Sequence, residues 1–556
     1  MHDLPYAIIA FLNKIWTSLG RPFARPVRFI RHRILGHFWP AVKLPNTITP
    51  IEFKSHPIHF KPLISLILHI HKLNDIDLHK CLASVTEQTY DKWEIIIKCD
   101  DPSIEIILEP YVKRYPNKIK MGGAKGDYFG FIDASDTLEN NALEVAVQEM
   151  QSDPRPDILY SDHSLHGNPI LKPDWSPELL LSYNYIQGFL LISRDLKEQS
   201  GDYSCIYDLL LRATEKTELI THISQVLCHK HEETADQELE VEALEQTLKR
   251  RSLPHTIRIP KSAEKFKKSF YKIDYNFPRE PSVTIIIPTK DRPDLLRRCL
   301  KGIRKNTNYN NFNVLVADNG STKKKTLKYL QSIPEQVVRI EQEKFNFSDI
   351  NNQAVKLASG EYVLFMNDDV FPINSNWLKE MVGVFSLDEK IGVVGAKLLY
   401  KKNKFGNAVQ HSGMVLGRHY ASLIQFTKAN ELGYNSYNQV LRNCSAISGA
   451  CMLTKKSLFA ELDGFDEKNL AIDYSDVDYC LKALEKGYRI VVNSHALLIH
   501  DESATRGDNQ GQGAILNQAE ADFLVAKWKN LIRHDPHYHP RFSLDLKDNA
   551  YTVINA

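Results

Sequence analysis

The stretch Glu361-Tyr362-Val363-Leu364-Phe365-Met366-Asn367-Asp368-Asp369-Val370 decides how this chain is read. Its apolar run, Tyr362 to Met366, has the length of one buried strand and stops at an amide and two adjacent carboxylates. Carboxylates at a strand end serve as a solvated cap. They also serve as hard oxygen ligands for a divalent cation that in turn holds a diphosphate. Taken alone, the stretch leaves both readings open, because carboxylates are ordinary surface residues.

The flanking sequence supplies other parts of such a site. Upstream, Val283-Thr284-Ile285-Ile286-Ile287-Pro288 reads as a buried strand followed by Thr289-Lys290-Asp291-Arg292. Leu295, Leu296, Cys299, Leu300 and Ile303 then recur at helical spacing. A second strand, residues 313–317, ends in Asp318-Asn319-Gly320-Ser321, and a helix through Ala358 stops at Gly360. Strands alternating with helices predict an α/β unit with a mainly parallel sheet, whose ligands bind outside the carboxyl ends of the strands. There Asp318 suits a nucleotide's base or ribose, and Asp369 with a metal suits its diphosphate. Downstream, Asp476 lies near the start of a helical run over 477–484, where the helix dipole favours a carboxylate able to accept a proton. A simple helix cap is the plainer reading. His500, after the apolar run 496–499, is either a nitrogen ligand or a structural histidine.

The pattern occurs twice. Residues 63–68 and 94–97 are strand runs separated by a helical stretch, and Tyr128-Phe129-Gly130-Phe131-Ile132 ends in Asp133-Ala134-Ser135-Asp136. The chain therefore divides into a basic amphipathic segment (1–55), a first α/β domain (56–235), a linker (236–280), a second α/β domain (281–505) and a C-terminal helical extension (506–556). Arg21, Arg25, Arg28, Arg31 and Arg33, interleaved with Phe23, Phe29, Ile30 and Phe38, either lie on an anionic membrane surface or pack on the protein itself. No apolar run approaches the ~20 residues that cross a bilayer. A net charge of +2 over 556 residues argues against nucleic acid as a partner. The eight cysteines form no zinc-type spacing and read as reduced thiols of a cytosolic protein.

Together these motifs resemble the family-two glycosyltransferases of the GT-A fold, among them the large bacterial enzymes of O-antigen and rhamnose-containing surface polysaccharides. The resemblance spans residues 60–545. It rests on Val283 to Thr289, Ala317-Asp318-Asn319-Gly320-Ser321-Thr322, Phe345-Asn346-Phe347-Ser348 with Asn351-Asn352, and Asn367-Asp368-Asp369-Val370. It continues through Gln410-His411-Ser412-Gly413, Ser448-Gly449-Ala450, Ser475-Asp476-Val477-Asp478 and His500-Asp501-Glu502-Ser503. The resemblance implies two tandem GT-A-like domains and a divalent cation, Mn²⁺ or Mg²⁺, as cofactor. It also implies a nucleotide-sugar donor and a saccharide or lipid-linked oligosaccharide acceptor, at the inner face of the cytoplasmic membrane or in the cytoplasm. By the same token Thr289, Arg292, Asp318, Asn352, Asn367 and Asp368 hold the donor, and Asp369 and His500 the metal. Asp476 is the base of an inverting displacement, and Gln410, His411, Ser448, Gly449 and Asp478 line the donor or acceptor pocket.

The first half shares Leu171-Lys172-Pro173-Asp174-Trp175-Ser176-Pro177 with that family but departs where the chemistry should sit. His69 stands where a proline is expected, Ser135 falls at the third position of the carboxylate motif with Asp136 beside it, and the helix before that strand is almost absent. Asp208 is a candidate remnant of the base. The first domain is therefore read as degenerate, and two active domains remain the alternative. A non-catalytic saccharide- or nucleotide-binding scaffold is the reading from another class. A sugar nucleotidyltransferase would want a glycine-rich phosphate loop after its first strand, and Pro288 to Arg292 contains no glycine.

Overall fold

The structure is a computed structural model that describes residues 57–70, 75–99, 104–232, 235–401, 407–416, 424–425, 427–501, 512–544 and 553, the backbone alone over 512–517. The basic segment 1–55 lies outside the described residues.

The first half contributes β1 (Ile64–His69), β2 (Trp93–Lys98), β3 (Ile119–Lys120), β4 (Tyr128–Asp133), β5 (Thr137–Leu138), β6 (Ile158–Leu165), β7 (Asn168–Ile170), β8 (Leu190–Ser193) and β9 (Ile220–Lys230). They form one sheet in the order β3-β2-β1-β4-β8-β6-β9-β5, with β7 on β6. After a hairpin of β10 (Thr256–Arg258) and β11 (Lys272–Asp274), the second half adds β12 (Val283–Thr289), β13 (Phe312–Asp318), β14 (Gln336–Arg339), β15 (Tyr362–Met366) and β16 (Val370–Pro372). It closes with β17 (Ile391–Tyr400), β18 (Val409–His411), β19 (Leu441–Asn443), β20 (Cys451–Lys455) and β21 (Arg489–His500). Their order, β14-β13-β12-β15-β20-β17-β21-β16, repeats the first sheet strand for strand, with β18 on β17 and β19 added on β21.

The repeat extends to single atoms. Thr284 Oγ1 donates to Asn313 Oδ1 and accepts the Gly360 N–H at 2.9 Å. Ser65 Oγ donates to Glu94 Oε1 and accepts the Gly126 N–H at 2.7 Å. A Cβ on Gly360 would meet the Thr284 nitrogen at 2.6 Å, and one on Gly126 the Ser65 nitrogen at 2.5 Å. Each glycine is thus fixed by the close approach of its neighbouring strand.

The expected α/β class and tandem arrangement are present, but each sheet is mixed rather than mainly parallel. β12 runs parallel to β13 and β15, whereas β20 is antiparallel to both β15 and β17. An apolar run announces a buried strand without stating its direction, which is why the sequence missed this.

The two halves are welded together. One apolar cluster runs from Ile67, Phe129 and Tyr160 through Ile285 and Leu398 to Tyr538 and Phe542. Arg489 clamps the buried Glu178 at 2.8 Å and Asp388 at 2.8 Å, and the Tyr434 hydroxyl bonds both backbone polar groups of Leu171 at 2.9 Å. The segment 171–177, read as a family motif, thus lies against the second half. Residues 236–280, read as a linker, are folded. The helix Gln237–Arg250 is capped by Asp236, whose carboxylate accepts the Glu238 and Leu239 N–H groups. Lys272, on the hairpin, pairs with the buried Glu380 of the second half.

Candidate active site

The strand pairing of the second sheet delivers its polar residues to one edge. Val370 pairs with His500, and the Asp501 N–H donates to the Asp369 carbonyl at 3.0 Å. His500 Nε2 consequently stands 3.4 Å from Asp369 Oδ1. Asp369 is 3% exposed, and its Oδ1 makes no hydrogen bond. On the other side of the ring, His500 Nδ1 lies 3.2 Å from Gln410 Oε1. An amide oxygen only accepts, so Nδ1 is a donor, and a ring with one proton turns its Nε2 lone pair toward the carboxylate. In that form two buried acceptors face each other across a space that one cation would bridge. Ligands held at about 2.1 Å from one divalent ion stand about 3.0–3.4 Å apart, so the pair fits such an ion. Gln410 acts behind the ring as the partner that fixes its tautomer.

Asp368, also buried, accepts from Thr289 Oγ1 at 2.7 Å. Burial pushes its carboxyl up to about 7, with the Asp369 charge adding to the shift and the Thr289 bond and Arg292 opposing it. Arg292 sits at the N-cap of the helix Pro293–Lys305, 3.5 Å from Asp294. The Asn367 N–H donates to the Ala450 carbonyl at 3.2 Å, which ties the carboxylate turn to the turn after Ser448. Asp318, 2% exposed, accepts the Ser321 N–H and pairs with the half-exposed Arg339 at 3.1 Å. Beside it, both side-chain polar atoms of the buried Asn319 are unpartnered. Arg339 went unnoticed in the sequence because β14 reaches β13 only through sheet pairing, aligning Asp318 with Arg339.

Asp476 is the second residue of the helix Ser475–Glu485, which Tyr474 opens in the left-handed region at φ 62°. Its Oδ2 accepts the Gly449 N–H at 2.6 Å and its Oδ1 the Val477 N–H at 2.8 Å. A Cβ on Gly449 would lie 3.5 Å from that carboxylate oxygen, in ordinary van der Waals contact. His411 is buried and accepts the Ser448 N–H through Nε2 at 3.4 Å. Burial, Arg442 and His500 push its pKa down to about 3, so the ring is neutral and serves as an acceptor. Thr289, Asp368, Asp369, His500, Gln410, Ser448, Gly449 and Asp476 thus form one connected set.

Two residues are engaged elsewhere. Asn352 bonds both backbone groups of Phe465 and the Glu467 carboxylate, holding the 464–467 loop. Asp478 is fully buried, with Oδ1 accepting from Lys527 Nζ and Trp528 Nε1 at 2.7 Å each. Its neighbours are a helix-to-helix anchor, not a pocket. Position in the helix explains this: two residues beyond Asp476, the side chain turns about 200° away from it.

The same edge of the first half is built differently. The pairings that align Tyr128 with Tyr362 and Ile158 with Val393 also align Leu165 with Tyr400, so Ser135 takes the place of Asp369, Asp136 that of Val370 and Lys230 that of His500. The Lys230 ammonium lies 2.8 Å from Asp136 and 3.3 Å from Asp133. Burial alone would lower the Lys230 pKa, but Asp136 and Asp133 hold it above its ordinary value. His229 is spent on Ser164 and Glu139 at 2.8 Å each. Asp208, the candidate remnant of the base, accepts the Ser204 N–H and pairs with Arg212 at 2.8 Å.

A third cluster, Asp162, His222 and His539, has metal-ligand composition. Its atoms are already committed. His539 Nδ1 accepts the Arg541 N–H, so its Nε2 carries the proton given to Asp162 at 2.8 Å. His222 lies 3.0 Å from Asp162 and 3.0 Å from Asp174 through its two nitrogens, and its pKa is raised: burial opposes, and the two carboxylates prevail. The cluster fastens the C-terminal extension to the first half, with both imidazoles bonded to Asp162.

With this geometry in view, residues 284–463 match the family described as Glycosyl transferase family 2. The second half is a glycosyl transferase family 2 domain. The O-antigen biosynthesis protein RfbC of Myxococcus xanthus is 31% identical over 554 residues, which cover 92% of this chain and 42% of that protein. The uncharacterized protein y4gI of Sinorhizobium fredii is 30% identical over 544 residues, 88% of this chain and 58% of that one. The chain thus spans about half the length of these relatives. Among solved structures, the mannosyltransferase PcManGT from Pyrobaculum calidifontis in complex with GDP-Man and Mn²⁺ matches at a TM-score of 0.32 and 19% identity. That match covers 47% of this chain and 68% of the other. The family 2 domain carries all of the connected set except Asp476 and His500 inside the matched residues. Among the described residues no helix is long and apolar enough to cross a membrane, and no cysteine forms a disulfide, most of them being buried.

Proposed function

We propose that the protein transfers a sugar from a nucleotide-sugar donor to a saccharide or lipid-linked acceptor, and that transfer is confined to the family 2 domain. The observation that carries this is the pair of buried, facing acceptors Asp369 Oδ1 and His500 Nε2 at 3.4 Å. A divalent cation held there would neutralise charge on a departing nucleoside diphosphate. Asp318, Asn319 and Arg339 offer acceptor, amide and guanidinium groups to the nucleotide at the neighbouring strand end. Thr289 and Arg292 keep Asp368 in place. Asp476 is oriented by the Gly449 N–H to take the proton of the acceptor hydroxyl, as a single inverting displacement requires. The relative named for O-antigen biosynthesis supports a role in bacterial surface polysaccharide synthesis.

Calorimetric titration of nucleoside diphosphates and sugar nucleotides, with and without Mn²⁺ or Mg²⁺, tests the reading on wild type and Asp369→Ala. Metal-dependent binding of one nucleotide to wild type, weakened at least tenfold by the substitution, is expected. Equal binding by both proteins would remove Asp369 from the site.

A further inference from the structure

The edge of the first sheet opens into a cavity of about 320 Å³ lined by Asp133, Asp136, Asn184, Tyr203, Lys230 and Glu240, among others. It occupies the place in the first half that the donor site occupies in the second, but Lys230 fills the position of a cation. We propose that this cavity is a binding site for an uncharged saccharide, independent of nucleotide and of metal.

Two buried acceptors point to a ligand rich in hydroxyl donors. The Asp136 side chain is 3% exposed, and while its Oδ2 holds Lys230, its Oδ1 is unpartnered. The buried Asn184 Oδ1, in the same lining, is unpartnered as well. Buried acceptors without donors cost free energy, and a ligand hydroxyl restores the bond. The charge on the walls selects the class of ligand. Asp133, Asp136, Asp236 and Glu240 face a single lysine, so a diphosphate entering here meets an excess of carboxylate. Lys230 is committed to Asp136 and Asp133 and offers no free cation. Tyr203, half-buried and edge-on to Phe131 at 6.4 Å, supplies an apolar ring of the kind on which a sugar's C–H face packs. The volume lies at the small end of the range for small-molecule sites, about 300–1,000 Å³, which suits a short saccharide unit better than a sugar nucleotide. The class of ligand rests on reading the family 2 domain as a sugar transferase; the cavity and its orphaned acceptors do not.

Saturation-transfer NMR on the full chain, without divalent cation, tests this. The probes are the methyl glycosides of mannose, rhamnose, glucose, galactose and N-acetylglucosamine, with UDP and GDP plus Mn²⁺ as a separate arm. At least one glycoside should give a signal that persists in Asp369→Ala and falls at least fivefold in Asn184→Ala. The same loss should follow Ser204→Trp, which plugs the exposed rim without touching the buried ion pair. A glycoside signal lost in Asp369→Ala and kept in Ser204→Trp would place binding in the family 2 domain and overturn the inference. So would no signal from any glycoside. The nucleotide arm reports on the second half alone, so its failure is read separately.

Discussion

The two halves carry the same sheet and differ in where the compensating positive charge comes from. In the second, Asp369 faces an imidazole lone pair 3.4 Å away and lacks a partner. In the first, Asp136 faces the Lys230 ammonium at 2.8 Å. A fixed ammonium neutralises the carboxylates permanently, whereas a gap leaves them to an ion that arrives with its ligand. One substitution on the last long strand separates the two outcomes, because Lys230 occupies the register position of His500. Asp501 pairs outward, with Arg298 at 2.6 Å and Lys401 at 3.0 Å. On the proposed reading, the comparison teaches that a nucleotide site is silenced without disturbing its fold.

The largest expected difference between the halves lies in the acids at the helix starts. Asp476→Asn should cut transfer about 10²–10⁴-fold, the usual worth of a general base, while donor binding survives. The introduced amide oxygen can still accept the Gly449 N–H, so the turn is retained. Asp208→Asn should leave the transfer rate unchanged and act on stability through the Arg212 pair. Steady-state kinetics on both variants, alongside nucleotide titration, checks this; a near-normal rate in Asp476→Asn would remove it as the base.

Next in size is the effect of stranding a buried charge. Asp136→Ala leaves Lys230, 6% exposed, with only the more distant Asp133. The expected loss is about 3–5 kcal/mol of stability, read from urea unfolding, because an unpaired buried ammonium is costly. Asp369→Ala removes a carboxylate that has no fixed cation to strand, and should cost less stability in the absence of metal.

A smaller contrast concerns pH. The neutral His411 receives the Ser448 N–H, whereas Ile170 takes the corresponding place on β7. Its pKa is lowered from 6.5 to about 3, so between these values the unfolded chain binds the proton and the folded one does not. Its stabilising contribution is present above about pH 6.5 and is lost as pH falls toward 3, with a slope of at most about 1.4 kcal/mol per pH unit. Urea midpoints from pH 7 to pH 5 should fall more steeply in wild type than in His411→Ile, which copies the first half. Parallel curves would deny His411 this role.

The sequence disclosed the repeat and the strand ends because period, length and punctuation are local properties. Thr289, Asp318, Asp369, Asp476 and His500 were all legible as polar residues at the ends of apolar runs. What sheet pairing adds was not. Nothing local shows that Arg339 aligns with Asp318, that Lys230 reaches across to Asp136, or that strands β20 and β8 run against their neighbours. Counting along the chain places Ser135 at the position of Asp369, and the strand pairings agree, since they match Tyr128 with Tyr362 and Lys230 with His500. Asn352 and Asp478 matched motifs in the chain, yet their side chains are spent on neighbouring loops and helices.

The carboxylate motif of the first half gives the smallest prediction. If the first half has lost its chemistry, its retained strand-end acid matters little to transfer. Asp133 is 23% exposed and lies 3.3 Å from Lys230, farther than Asp136. Asp133→Ala therefore weakens the ion pair without abolishing it, since Asp136 still holds the ammonium. A partly exposed charge contact of this kind is worth about 1 kcal/mol or less. The transfer rate should stay within about twofold of wild type, because the substitution touches neither the Asp369–His500 gap nor the turn that holds Asp476. Assays with each nucleotide-sugar donor that binds the protein would check this. Loss of one of two separable transfer activities would show that the first sheet catalyses as well, and Lys230 would then have to be read as a catalytic cation, not as the residue that retired the site.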